Sequence, residues 1–412
     1  MTFDLIVKGG FLPDGRQADI AIAKGRIAAV EADITAEAAE VVDATGNLVS
    51  PPFVDCHFHM DATLSYGTPR VNASGTLLEG ITLWGELKLI QSRDQIVARA
   101  LDYCRQAMAK GVLAIRSHVD VTDPSFRTVE ALLEVREAIR GKMDLQLVAF
   151  PQDGWFRAPG GEAQVIRALD AGVDIVGGIP HFERTMADGA AAVRAACRIA
   201  AERGLRVDLH CDETDDPLSR HIETLASETI AFGLQGRVAG SHLTSMHSMD
   251  NYYVSKLIPL IAEARVAAIP NPLINITLQG RADTYPKRRG MTRVPELLAA
   301  GVTVAFGQDC VMDPWYPLGS GDMLDVAHMG LHVALMTGTE QMNRCFDLVT
   351  EAPAQVMGLD FGLRPGARGS LVVLDCATPL EALRLRPVRK VVVSDGRIVA
   401  TTQPARVETL GF

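Results

Sequence analysis

The chain has 412 residues, 48% of them apolar and 22% charged, and its formal net charge is −10 at pH 7. This composition is that of a globular protein with a large core, and the acidic balance argues against binding to nucleic acid or to an anionic membrane. We expect neither a membrane span nor a secretory signal, because no apolar run approaches about 18 residues and the start, MTFDLIVKGG, lacks a basic segment before an apolar one. The seven cysteines form no CxxC pair, which predicts a cytoplasmic protein without a disulfide framework.

The two ends of the chain are rich in short strands. Residues 4–30 contain two alternating apolar runs that meet at Lys24-Gly25, and near the C-terminus a similar pair of runs meets at Asp395-Gly396. Such dipeptides between β-branched runs are typical of tight hairpins. We interpret the two ends as one small β-sandwich, with two independent surface hairpins as the alternative.

Between the ends, apolar strand-like runs alternate with helical segments. Eight strands are predicted, at residues 53–59, 112–120, 145–151, 174–179, 206–211, 238–242, 266–271 and 302–309. The helical patterns are clearest at residues 93–109, 127–140, 187–203 and 249–264. Eight buried strands alternating with helices favour a (β/α)8 barrel over an open doubly wound sheet, which would carry a glycine-rich phosphate turn after its first strand. The predicted fold is therefore an α/β protein with a (β/α)8 barrel at residues 51–362 and a β-sandwich formed by residues 1–50 and 363–412.

Polar residues lie at the predicted strand ends. Six of the ten histidines do so, namely His57, His59, His118, His181, His210 and His242. Asp309 ends the eighth strand, and Gln152 follows the third. Because active sites in this barrel form at the C-terminal ends of the strands, we expect these side chains to converge.

His57 and His59 give the sharpest local signal. Residues two apart on a strand point to the same face, so both imidazoles are expected to enter the barrel together. With His210 and Asp309 they would form a nitrogen and oxygen site that suits Zn²⁺ or Fe²⁺. A metal ion lowers the pKa of bound water from about 15.7 to about 7, which makes hydrolysis feasible at neutral pH.

Seven segments spread along the chain carry a distinctive pattern, namely VSPPFVDCHFHMD, RSHVDV, VAFPQDG, DLHCDETDD, GSHLTSMHS, NPLINITLQGRADTYPKRRG and QDCVMDPWYPLG. Through them, nearly the whole chain resembles bacterial cytosine deaminases of the amidohydrolase superfamily. The resemblance implies a (β/α)8 barrel with one divalent metal ion, zinc or iron, a small pyrimidine base as substrate, and a homo-oligomer. The implied metal ligands are His57, His59, His210 and Asp309.

The resemblance also implies roles for residues around the metal. Glu213 matches a proton-shuttling glutamate, His242 a histidine beside the metal-bound water, and Gln152 a glutamine that holds the pyrimidine. Leu77 matches a pocket-facing position. The residue chemistry agrees, because one carboxyl beyond His210 could protonate a ring nitrogen and then the departing amine, while His242 and Asp309 orient the attacking water. The alternatives are a solvated loop acid for Glu213 and a backbone-capping amide for Gln152.

One position departs from the family pattern. Typical cytosine deaminases carry a second aspartate after the metal-binding one, where this chain has Cys310. A neutral thiol is smaller than a carboxylate and does not need to stay hydrated, so we expect a pocket that accepts a methyl group at C5 of the ring. The leading hypothesis is deamination of 5-methylcytosine to thymine, with cytosine or 5-fluorocytosine also accepted. The alternatives for Cys310 are an inert packing residue, with plain cytosine as substrate, and a reactive nucleophile.

Other readings of the sequence stay open. Trp315 could stack near the ring or only wall the barrel mouth, and residues 60–90 could form a lid or a rigid capping loop. Competing substrates are isocytosine, isoguanine and creatinine. No lysine lies between Lys142 and Lys256, so strands three to six cannot supply the carboxylated lysine that bridges two metals in hydantoinase and dihydroorotase types. This absence disfavours ring opening, and the intact ligand set disfavours a non-catalytic binding barrel.

Overall fold

The structure, a computed structural model, describes residues 2–405 and 407–409. The chain begins with five strands, β1 (Phe3–Phe11), β2 (Gln17–Ala23), β3 (Arg26–Glu31), β4 (Ala38–Asp43) and β5 (Leu48–Ser50). Strands β1 to β3 are antiparallel, whereas β4 and β5 each pair in parallel with β1. The β2–β3 hairpin turns at Lys24 and Gly25, whose φ angles of 52° and 72° are those a two-residue type I′ turn requires.

Seven parallel strands follow and form the barrel sheet. They are β6 (Phe53–Phe58), β7 (Val112–Asp120), β8 (Asp144–Phe150), β9 (Ile175–Val176), β10 (Arg206–Cys211), β11 (Val238–His242) and β12 (Ala267–Ile269). They are hydrogen-bonded to one another in chain order. Nearly every residue in them is buried, because helices cover the outer face and side chains fill the interior.

The eighth segment closes the barrel without forming a regular strand. Instead of a continuous strand at residues 302–309, the structure has two isolated bridges, one from Val304 to Ala268 of β12 and one from Asp309 to Phe58 of β6. Asp309 has a φ of 69°, and this left-handed backbone cannot continue a strand. The predicted barrel is therefore confirmed, while the prediction of a regular eighth strand is wrong.

The C-terminal part of the chain adds three strands, β13 (Leu371–Leu374), β14 (Arg389–Ser394) and β15 (Arg397–Thr401). Strand β13 pairs with β5, so one mixed sheet runs in the order β15-β14-β13-β5-β1-β2-β3, with β4 beside β1. The β14–β15 hairpin turns at Asp395 and Gly396, with φ angles of 47° and 79°. The union of the two ends in one β-structure is confirmed, and the alternative of two independent hairpins is wrong.

Helices surround the barrel and cap its ends. They are α1 (Leu77–Ile90), α2 (Arg93–Ala109), α3 (Arg127–Ala138), α4 (Gly161–Asp170), α5 (Met186–Arg203), α6 (His221–Ala231), α7 (Asn251–Ala264), α8 (Pro272–Leu278), α9 (Val294–Ala299), α10 (Met323–Val333), α11 (Thr339–Asp347), α12 (Glu351–Met357) and α13 (Pro379–Leu385). The four helices predicted from sequence lie within one to two residues of α2, α3, α5 and α7 at each end. Within the described ranges, every helix is too short or too polar to cross a membrane.

One apolar core joins the barrel strands to the helices around them. Helix α7 shows how the sequence forms it, since its buried residues recur at helical spacing, as Val254, Leu257, Ile258 and Ile261. A second, smaller core lies within the terminal sheet and includes Ile20, Val49 and Val373. The barrel core provides a rigid support below the polar strand ends.

Residues 60–90 form an ordered cap. Their second half is helix α1, which is anchored to the end of β7 through Asp120. Trp84 Nε1 donates to Asp120 Oδ2 at 2.7 Å, and Lys88 Nζ donates to the same oxygen at 3.2 Å. The side chains of Trp84 and Lys88 are both buried. These contacts favour the rigid cap over a lid.

Candidate active site

The four predicted metal-binding residues converge at the strand ends. His57 lies in β6, His59 follows it, His210 lies in β10, and Asp309 bridges to β6. Each offers one ligand atom, and these four atoms all lie within 4.8 Å of one another. All four residues are buried. The alternation of side chains along β6 brings His57 and His59 to the same interior face, as the sequence predicts.

The donor atoms of this cluster face one another closely. His59 Nε2 lies 2.9 Å from His210 Nε2, and Asp309 Oδ1 lies 3.4 Å from His59 Nε2 and 3.6 Å from His57 Nε2. Among the described residues, neither His57 Nε2 nor Asp309 Oδ2 has a hydrogen-bond partner. Buried polar atoms are normally paired, so these orphaned atoms fit a group that the cluster would bind.

The charges of the cluster suit a divalent cation. Burial lowers the pKa of His59 to about 4, and burial together with His118 and His57 lowers the pKa of His210 well below its ordinary value, so both rings are neutral at pH 7. Burial opposes ionisation of Asp309, but His57 and His242 outweigh it and hold the pKa of that carboxyl below its ordinary value. Neutral imidazoles and a carboxylate are the forms that ligate zinc or iron.

Glu213 lies beside this cluster on the loop after β10. Its carboxyl is 5% exposed, and its Oε1 lies 3.5 Å from His242 Nδ1. Burial, and then the charge of Asp309, raise the pKa of Glu213 well above its ordinary value. The Glu213 side chain is therefore enclosed with the cluster, and the interpretation as a solvated loop acid is wrong.

Asp212 holds the Glu213 loop in place, although the sequence pattern did not single it out. It turns the chain with a φ of 54° and is fully buried. Its carboxylate accepts hydrogen bonds from Ser219 Oγ at 2.6 Å and from the backbone N–H of Ile222 at 2.9 Å. It also pairs with His221 Nδ1 at 2.8 Å. The only signal in the sequence is the acidic run DETDD, which does not distinguish a buried acid from exposed ones.

His242 is oriented by two asparagines that the sequence analysis also missed. Asn275 Oδ1 accepts from the backbone N–H of Asn271 at 2.9 Å, which fixes the orientation of the Asn275 amide. Its Nδ2 then donates to His242 Nδ1 at 2.9 Å. The proton of His242 is consequently on Nε2, which lies 3.8 Å from Asp309 Oδ2.

Three residues of the site have left-handed backbones at their strand ends. Asp212, His242 and Asp309 have φ angles of 54°, 70° and 69°. Such a conformation costs about 1–3 kcal/mol in a residue other than glycine and is common where a site needs a side chain aimed in one direction. The backbone strain therefore marks the end of the barrel that carries the cluster.

A cavity of about 430 Å³ opens above the cluster. Its walls include Glu213, His242, Asp309 and all four residues predicted to bind substrate, namely Leu77, Gln152, Cys310 and Trp315. Apolar side chains from α1 and α8 also line the cavity, namely Ile81, Ile274 and Leu278. The arrangement suits a flat ring with a polar edge.

Cys310 lies on the cavity wall next to the cluster. It is 3% exposed, and its Sγ donates to Asp309 Oδ1 across 3.6 Å. Burial and the nearby carboxylates of Asp313 and Asp309 raise the pKa of its thiol well above 9.0. The thiol is therefore neutral, which argues against the reactive-nucleophile interpretation.

Trp315 forms part of the same wall. Its ring centroid lies 5.8 Å from that of His59 and 6.1 Å from that of Trp84 on α1. It is 6% exposed and packs in a small apolar cluster with Cys310 and Ile274. The indole thus borders the cavity and at the same time anchors α1.

His118 and His181, two further histidines predicted at strand ends, lie near the cluster and in the cavity wall, respectively. His118 is fully buried with its ring centroid 4.2 Å from that of His57, and His57, His118 and Asp208 form a second group with metal-ligand spacing. Arg116 Nη1 donates to Asp208 Oδ2 at 2.8 Å, so that carboxylate already forms an ion pair with a guanidinium. The cluster of His57, His59, His210 and Asp309 is therefore the better cation site. His181 lines the cavity.

Comparisons with known proteins agree with this geometry. Residues 40–400 match the amidohydrolase family. The structure of 5-methylcytosine deaminase from Klebsiella pneumoniae liganded with 5-fluorocytosine is 39% identical, with a TM-score of 0.95 over 98% of this chain and 99% of that one. N-isopropylammelide isopropylaminohydrolase from Burkholderia multivorans is 30% identical, with a TM-score of 0.85 over 97% of this chain and 99% of that one. Pterin deaminase from Rhizobium rhizogenes is 29% identical over 94% of this chain and 89% of that protein.

The fold and these relatives lead to the same conclusion. The barrel with a terminal mixed sheet, the cluster of histidine and aspartate at its strand ends and the match over residues 40–400 agree with one another. The chain belongs to the amidohydrolase family and is a hydrolase that acts on carbon–nitrogen bonds.

Proposed function

We propose that the chain deaminates aminopyrimidine bases by metal-dependent hydrolysis, converting 5-methylcytosine to thymine with release of ammonia. The observation that carries this proposal is one cavity whose walls hold the buried cation cluster, an enclosed acid at Glu213 and a neutral thiol at Cys310. The similarity to a 5-methylcytosine deaminase over 98% of the chain supports the choice of substrate.

We assign one divalent cation to His57, His59, His210 and Asp309, with zinc and iron both suited to three imidazoles and a carboxylate. When bound, such a cation lowers the pKa of a water molecule to about 7 and so supplies a nucleophile at neutral pH. His59 and His210 supply neutral nitrogens and Asp309 an ionised oxygen toward this site. Chelation should abolish the activity.

Glu213 moves protons in this proposal. Deamination adds one water across the ring, and its two protons end on the ring nitrogen N3 and on the departing amine. Burial and Asp309 raise the pKa of Glu213, which favours its protonated form. That form can deliver its proton to N3, and the resulting carboxylate can take one proton from the water and pass it to the departing amine. It regains a proton when the second proton of the water leaves the oxygen as the C4 carbonyl forms. Glu213 is thereby unchanged after one turnover.

His242 and Gln152 orient the reactants. His242 Nε2 lies 3.8 Å from Asp309 Oδ2, where its N–H can hold the attacking oxygen over the face of the ring at C4. Gln152 is 5% exposed and lines the cavity. Its amide can accept from a ring N–H and donate to the ring carbonyl, which would fix one edge of the pyrimidine.

Cys310 sets the preference for a C5 substituent. A neutral buried thiol packed with Trp315 and Ile274 offers an apolar surface to a methyl group. Filling such a site with one methyl contributes about 1–3 kcal/mol to discrimination, roughly 10–200-fold. The preference for 5-methylcytosine over cytosine should lie in that range.

The test compares kcat/KM for 5-methylcytosine, cytosine, 5-fluorocytosine, isocytosine, isoguanine and creatinine on protein of known metal content. The proposal predicts that 5-methylcytosine is the best substrate, and that Cys310→Asp reverses its advantage over cytosine. A preference for cytosine in both proteins by similar factors would refute the role of Cys310. Ammonia release from none of the pyrimidines would refute the proposed function.

We also propose boundaries between the terminal sheet and the barrel at residues 50/51 and 362/363. Strand β5 ends at Ser50 and belongs to the terminal sheet, while β6 begins at Phe53 in the barrel. The chain returns to the terminal sheet at Leu371. This division supports residues 1–50 and 363–412 as one unit around the barrel at 51–362.

A further inference from the structure

A chain of buried hydrogen bonds runs from the interior of the barrel to the back of His57. Arg116 Nη1 donates to Asp208 Oδ2 at 2.8 Å, and Ser241 Oγ donates to Asp208 Oδ1 at 2.9 Å. Ser241 Oγ also lies 2.8 Å from His57 Nδ1. All four side chains are at most 1% exposed, so these bonds form without competition from solvent.

The chemistry of these groups fixes where each proton lies. A guanidinium only donates and an ionised carboxylate only accepts, so Asp208 takes the single hydroxyl proton of Ser241. Ser241 Oγ can then only accept from His57, which places a proton on His57 Nδ1 and leaves a lone pair on Nε2. That Nε2 has no partner among the described residues and lies 3.6 Å from Asp309 Oδ1.

The Arg116 end of this series of hydrogen bonds is held rigidly. Arg116 Nη2 donates to Gln146 Oε1 and to the backbone carbonyl of Val356, each at 3.1 Å. Ser241 is paired with His210 in the register of β10 and β11, so the same strands carry both the support and the cluster. The support for His57 is consequently part of the barrel and not of a loop.

We propose that Ser241 and Asp208 are positioning residues, which hold His57 in the tautomer and orientation that present Nε2 to the cation. The inference rests on the proposed function, since it concerns a ligand of the cation assigned there. A histidine that donates its second N–H to an acceptor is a better-oriented and more basic ligand, and removal of the acceptor typically costs 10–100-fold in metal affinity.

The substitution Asp208→Asn discriminates this role from simple packing. Arg116 needs an oxygen at the Oδ2 position, so the amide nitrogen would face Ser241 and donate to Oγ. The hydroxyl proton would then be directed to His57 Nδ1, which favours the wrong tautomer. Ser241→Ala only removes the acceptor, and Ser241→Thr keeps a hydroxyl. The expected order of Zn²⁺ affinity is wild type and Ser241→Thr, then Ser241→Ala, then Asp208→Asn.

The experiment measures Zn²⁺ affinity of each metal-free protein by competition with a chelator, together with its thermal unfolding midpoint before metal is added. We expect a loss of about 10–100-fold in Ser241→Ala and a larger one in Asp208→Asn. The matched control is Ser50→Ala, a buried serine of β5 whose Oγ donates to the carbonyl of Pro51 at 2.7 Å, and it should bind as the wild type does.

The outcomes separate the two proposals. Wild-type affinity in both Ser241→Ala and Asp208→Asn would overturn the positioning role and leave the proposed function intact. The positioning role would also be overturned if the losses of Zn²⁺ affinity ran parallel to losses in the unfolding midpoint. The same holds if Ser241→Thr bound Zn²⁺ no better than Ser241→Ala. A wild-type protein that binds no Zn²⁺ or Fe²⁺ would refute the proposed function and this inference with it.

Discussion

Replacing Asp212 with asparagine is expected to loosen the loop that carries Glu213. The Asp212 carboxylate accepts from Ser219 Oγ, from His221 Nδ1 and from the backbone N–H groups of His221 and Ile222. Oδ1 receives three of these bonds and Oδ2 the one from Ile222, so an amide NH2 must face at least one donor whichever way it is turned. An unsatisfied buried donor costs about 1–3 kcal/mol, and each hydrogen bond to a charged group contributes about 1.5–3 kcal/mol.

The expected loss of stability in Asp212→Asn follows from these costs, and its pH dependence follows from the pKa of Asp212. We expect Asp212→Asn to lower the free energy of unfolding by about 3–5 kcal/mol at pH 7, because it leaves at least one buried donor unsatisfied and weakens the other bonds to the carboxylate. Burial opposes ionisation of Asp212, but His221 and Ser219 outweigh it and lower the pKa of this carboxyl below 3.8. Because the folded pKa is lower than the unfolded one, the stabilisation is complete above the ordinary value and is lost as pH falls through the folded value. The difference in unfolding free energy between the wild type and Asp212→Asn should therefore narrow only below about pH 4.

The assay is urea unfolding from pH 3 to 8, with kcat and metal content measured at pH 7. Since Glu213 directly follows Asp212, kcat should fall while the metal stays bound. Ser219→Ala is the matched control, because it removes one of the four bonds and should cost about 1.5–3 kcal/mol. The prediction fails if Asp212→Asn loses less than about 1 kcal/mol of unfolding free energy, or if its difference from the wild type widens on acidification.

Three further predictions concern the acid, the cation and the cap. Glu213→Gln should lower kcat about 10²–10⁴-fold with metal content unchanged, and near-wild-type activity would exclude it as the proton carrier. Removing the metal should abolish activity and lower the unfolding midpoint, and zinc or iron at 100 times its Kd should restore about 2.7 kcal/mol of stability. Gly80→Ala places a Cβ 2.3 Å from Trp315 Cδ1 and should cost about 1–3 kcal/mol and raise KM, whereas Gly85→Ala, with open space around it, should do neither.

Much of the barrel could be predicted because its physical causes are local. Continuous apolar runs identify buried parallel strands, and Lys24-Gly25 and Asp395-Gly396 specify turns that the structure confirms. The convergence of His57, His59, His210 and Asp309 followed from their places at strand ends. The predicted homo-oligomer and cytoplasmic location stay predictions.

What the sequence did not indicate depends on long-range packing. The left-handed backbone at Asp309 interrupts an otherwise strand-like run, and only the surrounding barrel stabilises it. Asp212, Asn275 and Ser241 look like ordinary polar residues, since their partners lie on other elements. Sequence reasoning identifies groups with evident chemistry and overlooks the residues that orient them.

We propose that residues 57, 59, 210 and 309 together hold one divalent cation. Anomalous diffraction from crystals of the metal-loaded protein tests it most directly. We expect one peak within about 2.0–2.2 Å of ligand atoms from His57, His59, His210 and Asp309. A peak at another position, or a second peak of equal strength at His118 and Asp208, would contradict it.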